Sequence, residues 1–188
     1  MKKIFKVILI IASVTLVLFS VWTFVVNNTT MPSEMKNETV CFLAPDLTWN
    51  STMSDVKDLF GEPLVKGKYN DVSADVTDTY ATEYKNRPMT VHTTRKAFFI
   101  TELLLKRRIT GYHFIIECAD DNDAKLVIEE LCDGLIDDNK EFIYEKETNS
   151  YFSAYIDYGL CTVYYDIEYY SECGESDVCF YIDAYYWF

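Results

Sequence analysis

The residues that could carry out catalysis are few, because the chain has only two histidines and six cysteines among its 188 residues. A histidine next to a cysteine, such as His113 with Cys118, could activate a thiolate nucleophile. His92 and His113 both fall in strand-like segments, and nothing in the alternation of those segments brings the two side chains together. The chain contains no P-loop, dinucleotide-binding glycine motif, Gly-x-Ser-x-Gly or His-Glu-x-x-His. We therefore predict a non-catalytic protein, and the alternative is an exported enzyme that acts through a cysteine or, in glycan processing, through paired carboxylates.

The acidic run Asp120-Asp121-Asn122-Asp123 has the residue types of a calcium-binding loop. An EF-hand loop needs a glycine at its sixth position, and counting from Asp121 that position is Leu126. The run is better interpreted as the capped N-terminus of a helix. Two histidines and the absence of Cys-x-x-Cys also argue against zinc, so no metal or other cofactor is predicted.

All six cysteines follow the apolar N-terminal segment, and an even number of cysteines in an exported domain favours disulfide bonds. Cys173 and Cys179 flank a predicted hairpin loop and are the favoured pair. Either Cys118 or Cys132 could pack against Cys161, and the sequence does not fix the connectivity. The disulfide candidates are Cys41, Cys118, Cys132, Cys161, Cys173 and Cys179.

Residues 7–26 contain no charged residue and predict a transmembrane helix. The apolar segment 4–26 would span about 34 Å at a rise of about 1.5 Å per residue, which is enough to cross a lipid bilayer. A cleaved signal peptide would have a shorter apolar stretch and a small-x-small site, and neither is present. Lys2, Lys3 and Lys6 precede the segment, so the positive-inside rule predicts a cytoplasmic N-terminus and a domain outside the cell membrane. We therefore predict a cytoplasmic start and an uncleaved signal anchor at residues 1–27, and the alternative is that the segment is cleaved.

Residues 28–45 have little periodicity and contain Pro32 and Pro45, so they are interpreted as an extracytoplasmic tether to a domain at residues 46–188. Asn-x-Ser/Thr sequences would be glycan acceptors in a eukaryotic secretory pathway and only polar sequence in a bacterium. The chain leaves this choice open. These sequences begin at Asn27, Asn28, Asn37 and Asn50.

The net charge of −13 is carried by the C-terminal part of the chain, since residues 117–188 contain three basic and nineteen acidic residues. Binding nucleic acid requires clusters of lysine and arginine, so a nucleic acid partner is not expected. The negative electrostatic field of residues 117–188 could attract a basic protein or ligand, or divalent cations. The alternative is that the charge keeps a tyrosine-rich domain soluble.

Two segments have the apolar periodicity of helices. The first begins after Thr52 or Ser54, either of which could cap it, and is stopped by Gly61 and Pro63. The second begins at the acidic run, and its apolar residues recur at the spacing of one helix face. These residues are Ala124, Val127, Ile128, Leu131 and Leu135.

The remaining segments are rich in β-branched and aromatic residues and predict strands. In three successive C-terminal segments every second residue belongs to the same apolar face. These segments should therefore form an antiparallel meander with one face on the core. We predict an α+β domain in which two helices pack on an antiparallel sheet, with a weak architectural repeat of residues 47–118 and 119–188. The predicted strands are Thr77–Tyr84, Met89–Thr94, Ala97–Leu104, Ile109–Cys118, Tyr151–Tyr158, Cys161–Tyr170 and Val178–Trp187.

The solvent face of the predicted meander interleaves tyrosines with carboxylates. Tyrosine and tryptophan are favoured at interfaces because they bury a large area and keep a polar tip. We predict that this face is a binding surface, and the alternative is that it reflects strand propensity and cross-strand aromatic pairing. The candidate binding residues are Tyr164, Asp166, Tyr181, Asp183, Tyr185 and Trp187.

The segment from Trp49 to Pro63 resembles the Met-Ser/Thr-x-x-x-Val…Gly-x-Pro opening of small exported domains, with Val56, Gly61 and Pro63 at the matching places. Such domains include the small lipoprotein of the outer-membrane barrel-assembly machine and the β-lactamase-inhibitor-like fold. The resemblance implies helices packed on an antiparallel sheet and a role in protein binding. A third possible function is that of a structural or assembly subunit whose membrane helix is itself the contact. The sequence does not predict the oligomeric state.

Overall fold

The computed structural model describes residues 2–29, 31–67, 75–96, 109–137, 141–148, 151–159, 161–172 and 175–186. Within these residues the chain forms four helices and seven strands. The helices are α1 (Lys2–Thr29), α2 (Ser33–Lys36), α3 (Met53–Phe60) and α4 (Asp121–Asp137).

The strands form one sheet in the order β1-β2-β3-β7-β6-β5-β4, and every neighbouring pair is antiparallel. The predicted α+β class and the C-terminal meander are confirmed. Edge strand β4 was not predicted, and the predicted strand Ala97–Leu104 lies outside the described residues. The strands are β1 (Asp75–Tyr84), β2 (Arg87–Lys96), β3 (Ile109–Cys118), β4 (Ile143–Thr148), β5 (Tyr151–Asp157), β6 (Cys161–Glu172) and β7 (Glu175–Tyr186).

Helix α3 begins and ends where the sequence predicts. The Asp55 carboxylate accepts hydrogen bonds from the backbone N–H and the hydroxyl of Thr52, at 2.5 and 2.8 Å. This is a capping box, which satisfies donors at the helix start. Gly61 ends the helix with a φ of +85°, a conformation that favours glycine. Val56 is the one residue of α3 that is fully buried.

Helix α4 confirms the capping interpretation of the acidic run. Asp120 Oδ1 accepts the backbone N–H groups of Asn122 and Asp123, at 2.8 and 2.9 Å. The five apolar residues that were predicted to share one face of this helix are all buried. Gly134 admits a close neighbour, because a Cβ there would lie 2.6 Å from the Phe42 ring.

The segment before α3 packs into the domain, whereas residues 28–45 were expected to be a tether. Met31, Met35, Val40 and Cys41 are each at most 2% exposed and belong to the same hydrophobic core as the sheet. Burial of apolar side chains explains why this segment adheres to the sheet despite its lack of periodicity. The predicted boundary at residue 46 therefore divides residues that pack together.

The two halves of the domain have the same order of elements. Helix α3 precedes the meander β1-β2-β3, and α4 precedes β4 and the meander β5-β6-β7. The last strand of each half, β3 and β7, pair at the centre of the sheet. One core therefore joins the two halves.

No helix among the described residues is both long enough and apolar enough to be identified as a membrane span. The predicted span, residues 4–26, includes side chains outside the described set, and it stays a prediction.

Candidate functional site

The sheet has one covered face and one face open to solvent. The buried apolar residues of α3 and α4 belong to the same core cluster as Tyr80, Phe114 and Phe180, so both helices pack on one side. Successive strand residues point to opposite faces. The large side chains of the opposite face, which we call the outer face, are partly or fully exposed.

Five of the six predicted binding residues lie together on the outer face. Tyr164 of β6 is opposite Asp183 of β7, and Asp166 is opposite Tyr181. Tyrosine and aspartate therefore alternate both along and across the two strands. Tyr185 is two positions beyond Asp183 and is 56% exposed. The sixth residue, Trp187, lies outside the described residues.

The tyrosines form a continuous aromatic strip across three strands. The ring centroids of Tyr155 and Tyr164 are 5.6 Å apart, and those of Tyr164 and Tyr185 are 5.5 Å apart at an interplanar angle of 86°. These separations are typical of favourable aromatic pairs. The strip is held by its own ring contacts on a rigid sheet, so it needs little ordering to bind a partner.

Carboxylates lie beside these rings and are oriented by tyrosine hydroxyls. The Tyr151 hydroxyl donates to Asp166 at 3.2 Å, and the Tyr170 hydroxyl donates to Glu168. Burial raises the pKa of Tyr185, and the nearby Asp183 and Asp166 raise it further. The phenol of Tyr185 therefore stays neutral at physiological pH.

Two histidines that were not predicted to meet lie next to each other on the same face. The strand register places His92 opposite His113, and His113 opposite Tyr181. His113 Nε2 lies 3.2 Å from each carboxylate oxygen of Asp183. Gly111 makes room for that carboxylate, since a Cβ at Gly111 would lie 2.3 Å from Asp183 Oδ1. The expectation that the two histidines do not converge was wrong, because parity within a strand does not reveal the register between strands.

His92 is the more shielded of the two imidazoles. Its Nδ1 lies 3.0 Å from the Thr79 hydroxyl. Burial lowers the pKa of His92, and the neighbouring His113 lowers it further. The His92 ring is therefore neutral at physiological pH, and it adds hydrogen-bonding capacity to the surface rather than charge.

The structure does not bring together the His113–Cys118 pair that could form a nucleophile. The two residues are five positions apart on β3, which corresponds to about 16 Å, and they point to opposite faces. Burial raises the pKa of the Cys118 thiol to about 11 and that of Cys161 to about 12. A reactive cysteine requires the opposite shift.

The structure contains no disulfide bond among the residues it describes. Cys118 and Cys161 lie far apart, because Cys118 pairs with Ser176 near the start of β7 and Cys161 pairs with Tyr186 at its end. Ten residues of strand separate those positions by about 33 Å, far beyond the reach of a disulfide. The favoured Cys173–Cys179 pairing was wrong, because Cys179 is a buried free thiol; Cys173 itself lies outside the described residues.

The outer face combines aromatic rings and carboxylates at adjacent positions. No group of three or more histidine, cysteine or carboxylate side chains within the described residues is arranged to hold a metal ion. A guanidinium can stack on a tyrosine ring while it binds a carboxylate in a bidentate geometry. Alternating tyrosine and aspartate offers both interactions at adjacent positions.

Comparisons of the chain with models of protein families, with curated proteins and with solved structures find no match in any of the three.

Proposed function

We propose that this chain is a membrane-anchored, extracytoplasmic binding module that recognises a basic protein through the outer face of its sheet. The observation that carries this proposal is the alternation of Tyr164 and Asp166 on β6 with Tyr181 and Asp183 on β7, on a face that is open to solvent. Rigid aromatic residues at a surface are frequent binding anchors.

The charge of the chain supports a basic partner. Residues 117–188 carry a net charge of −16, from three basic and nineteen acidic residues. Complementary charge steers association and excludes acidic competitors. Arginine suits the surface better than lysine, because its planar group can stack on Tyr164 or Tyr181 and pair with a neighbouring aspartate. The partner is therefore a protein segment that presents arginine side chains.

Membrane attachment is the second part of the proposal. Its support is the uncharged run 7–26 after three lysines. Apolar side chains of α1 are largely exposed, for example Phe5 at 67%, Leu16 at 71% and Trp22 at 62%. Exposed apolar area of this extent is costly in water and would be covered by lipid. The resemblance of residues 49–63 to small exported protein-binding domains agrees with this location, and the common order of elements in the two halves is consistent with a diverged repeat.

The test uses the full chain in nonionic detergent micelles and a fluorescently labelled arginine decapeptide as the probe. We expect the wild type to bind the arginine peptide more tightly than a lysine decapeptide, and a glutamate decapeptide not to bind. The triple substitution Tyr164→Ser, Tyr181→Ser and Tyr185→Ser should weaken binding at least about tenfold through lost cation–π contacts. Raising the salt from about 0.05 to 0.5 M should weaken the remaining affinity.

The matched control changes exposed outer-face residues at the opposite edge of the same sheet. Thr77→Ala with Glu83→Gln on β1 should leave the affinity unchanged. Circular dichroism should show that both variants are folded. Equal binding by the triple variant and the wild type would overturn the assignment of this face.

A further inference from the structure

A cavity of about 560 Å³ lies on the covered face, between α3 and strands β1 and β2. Its third wall is the segment 61–67, which is held to the edge of β1. The Leu64 N–H donates to the Thr79 carbonyl at 2.8 Å, and the Thr79 N–H donates to the Val65 carbonyl at 2.9 Å. Cavities of roughly 300–1,000 Å³ accommodate small organic ligands. This cavity is separate from the outer face, since it lies on the other side of the sheet.

The floor of the cavity contains a buried arginine, and one N–H group of its guanidinium has no hydrogen-bond partner among the described residues. Arg95 is 7% exposed, and its Nη1 donates to Asp78 at 2.7 Å. The other Asp78 oxygen accepts the Gly67 backbone N–H at 2.7 Å, so both carboxylate oxygens are engaged. Arg95 Nε is buried and has no hydrogen-bond partner among the described residues. An unsatisfied buried donor of this kind is costly and rare in folded proteins.

Two other buried polar groups on the same side of the sheet are also without partners among the described residues. They are the Trp49 indole N–H and the Tyr112 hydroxyl, both of which are buried. The rings of Trp49 and Tyr112 are 6.1 Å apart, and Tyr112 is opposite Thr93, two positions before Arg95. Neither Trp49 nor Tyr112 lines the cavity, whereas Arg95 does. A ligand that complements the free Arg95 donor must supply an acceptor oxygen.

The charges of the cavity lining favour an anion, which is unusual in so acidic a chain. Its cations are Lys57, Lys66 and Arg95, and its carboxylates are Glu62 and Asp78. Both carboxylates are already engaged, since Lys57 pairs with Glu62 and Arg95 pairs with Asp78. The lining thus carries a net charge of +1, three cations minus two carboxylates.

We infer that this cavity binds a small organic anion whose carboxylate or phosphate group is directed toward Arg95 and Lys66. The apolar body of the ligand packs against Met53, Pro63 and Tyr80, which line the same space. A charge-assisted contact with the free Nε supplies the acceptor that the guanidinium lacks.

The experiment measures ligand binding to the full chain in nonionic detergent micelles by ¹⁹F NMR. The probes are 4-fluorobenzoate, 4-fluorophenyl phosphate and the neutral 4-fluorobenzamide. At least one of the two anions should bind about tenfold more tightly than the amide, and their ratio distinguishes a carboxylate ligand from a phosphate ligand. Equal affinities for the anions and the amide would overturn the inference.

Two substitutions of opposite sign locate the site without disturbing the buried arginine. Lys66→Gln should weaken anion binding about threefold to tenfold, because it removes a cation from the wall. Glu62→Gln should strengthen binding about twofold to fivefold, because it removes a competing carboxylate and releases Lys57. The control Lys125→Gln, on the exposed surface of α4, should change neither affinity. Absence of these opposite shifts would overturn the location of the site, and circular dichroism should show that all three variants are folded.

Discussion

On the covered face of the sheet, strands β6 and β7 bury apolar side chains such as Val163 and Phe180. At the other end of the same face, β1 and β2 bury Asp78, Thr93 and Arg95. The helices explain the difference. Helix α4 has 17 residues and covers its half with five buried apolar side chains, whereas α3 has eight residues and one buried side chain. A short helix leaves part of a sheet uncovered, and in this protein polar groups and a cavity occupy that part.

The two halves differ in the kind of side chain that they bury, and they therefore contribute to stability in different ways. Apolar burial in the half beneath α4 contributes directly to the folding free energy. Polar burial in the half beneath α3 contributes little net stability, because desolvation of an ion pair offsets its attraction.

The largest expected effect is in the apolar half. Phe180→Ala removes a fully buried ring that stacks on Phe114 at 6.0 Å and on Phe42 at 6.4 Å. We expect a loss of about 4 kcal/mol in the free energy of unfolding, from lost burial and the cavity left behind. Urea unfolding of the full chain in detergent measures it. A loss below about 1 kcal/mol would contradict the assignment of this half as the stability core.

The next largest effect tests whether apolar residues can replace the buried ion pair of Asp78 and Arg95. Asp78→Ala leaves Arg95 buried without its partner and should cost about 3 kcal/mol. The double variant Asp78→Leu with Arg95→Met should recover most of that loss, since apolar residues of similar volume are tolerated in place of a buried pair. Unfolding free energies of the three proteins test this. If the double variant is less stable than Asp78→Ala alone, the ion pair is a stability element after all and the contrast between the halves fails.

The smallest effect concerns a contact that links the halves. Arg87 at the start of β2 binds Asp123 of α4 through Nε at 3.1 Å to each carboxylate oxygen and through Nη2 at 2.6 Å. Hydrogen bonding to Arg87 lowers the pKa of Asp123, and the Ala119 backbone N–H lowers it further. The stability from this pair is therefore present above the ordinary aspartate pKa of about 4 and is lost as the pH falls through the lowered value.

Arg87→Gln should cost about 1 kcal/mol at pH 7, because the pair is only partly buried. The difference between variant and wild type should shrink as the pH falls below about 4 toward the lowered pKa of Asp123. Unfolding curves at pH 7 and pH 3 provide the comparison, and Lys57→Gln, in an exposed ion pair, is the control with an expected change near zero. A difference that stays constant with pH would show that Asp123 is not the group responsible.

The sequence predicted the elements that depend on local patterns. Thr52 and Gly61 determine the bounds of α3, and the apolar spacing from Ala124 to Leu135 determines the buried face of α4. The antiparallel meander of β5, β6 and β7 was predicted from the strict alternation of core-facing and solvent-facing residues along each strand. Strand β4 was missed because the alternation of Ile143–Thr148 is weak, with charged residues at Glu145, Lys146 and Glu147.

The parts that the sequence did not predict depend on contacts between distant residues. The outer-face tyrosines were found because they lie on one meander, but His113 meets Asp183 only through the pairing of β3 with β7. The cavity was missed for the same reason, since the Asp78–Arg95 pair depends on the register of β1 with β2. The packing of Met31 and Met35 into the core was missed because that segment has no periodicity that could indicate a partner.

The central pairing of β3 with β7 has a consequence for synthesis on the ribosome. β3 ends at Cys118 and β7 begins at Glu175, so 56 residues separate the two partners. At about 5–20 residues per second, roughly 3–11 s pass before synthesis of β7 even begins, and until β7 is complete the backbone N–H and C=O groups at the edge of β3 lack their partner. An exposed strand edge of this kind invites pairing with other nascent chains. The nascent protein therefore passes through an aggregation-prone interval that ends only when its last described strand has been made.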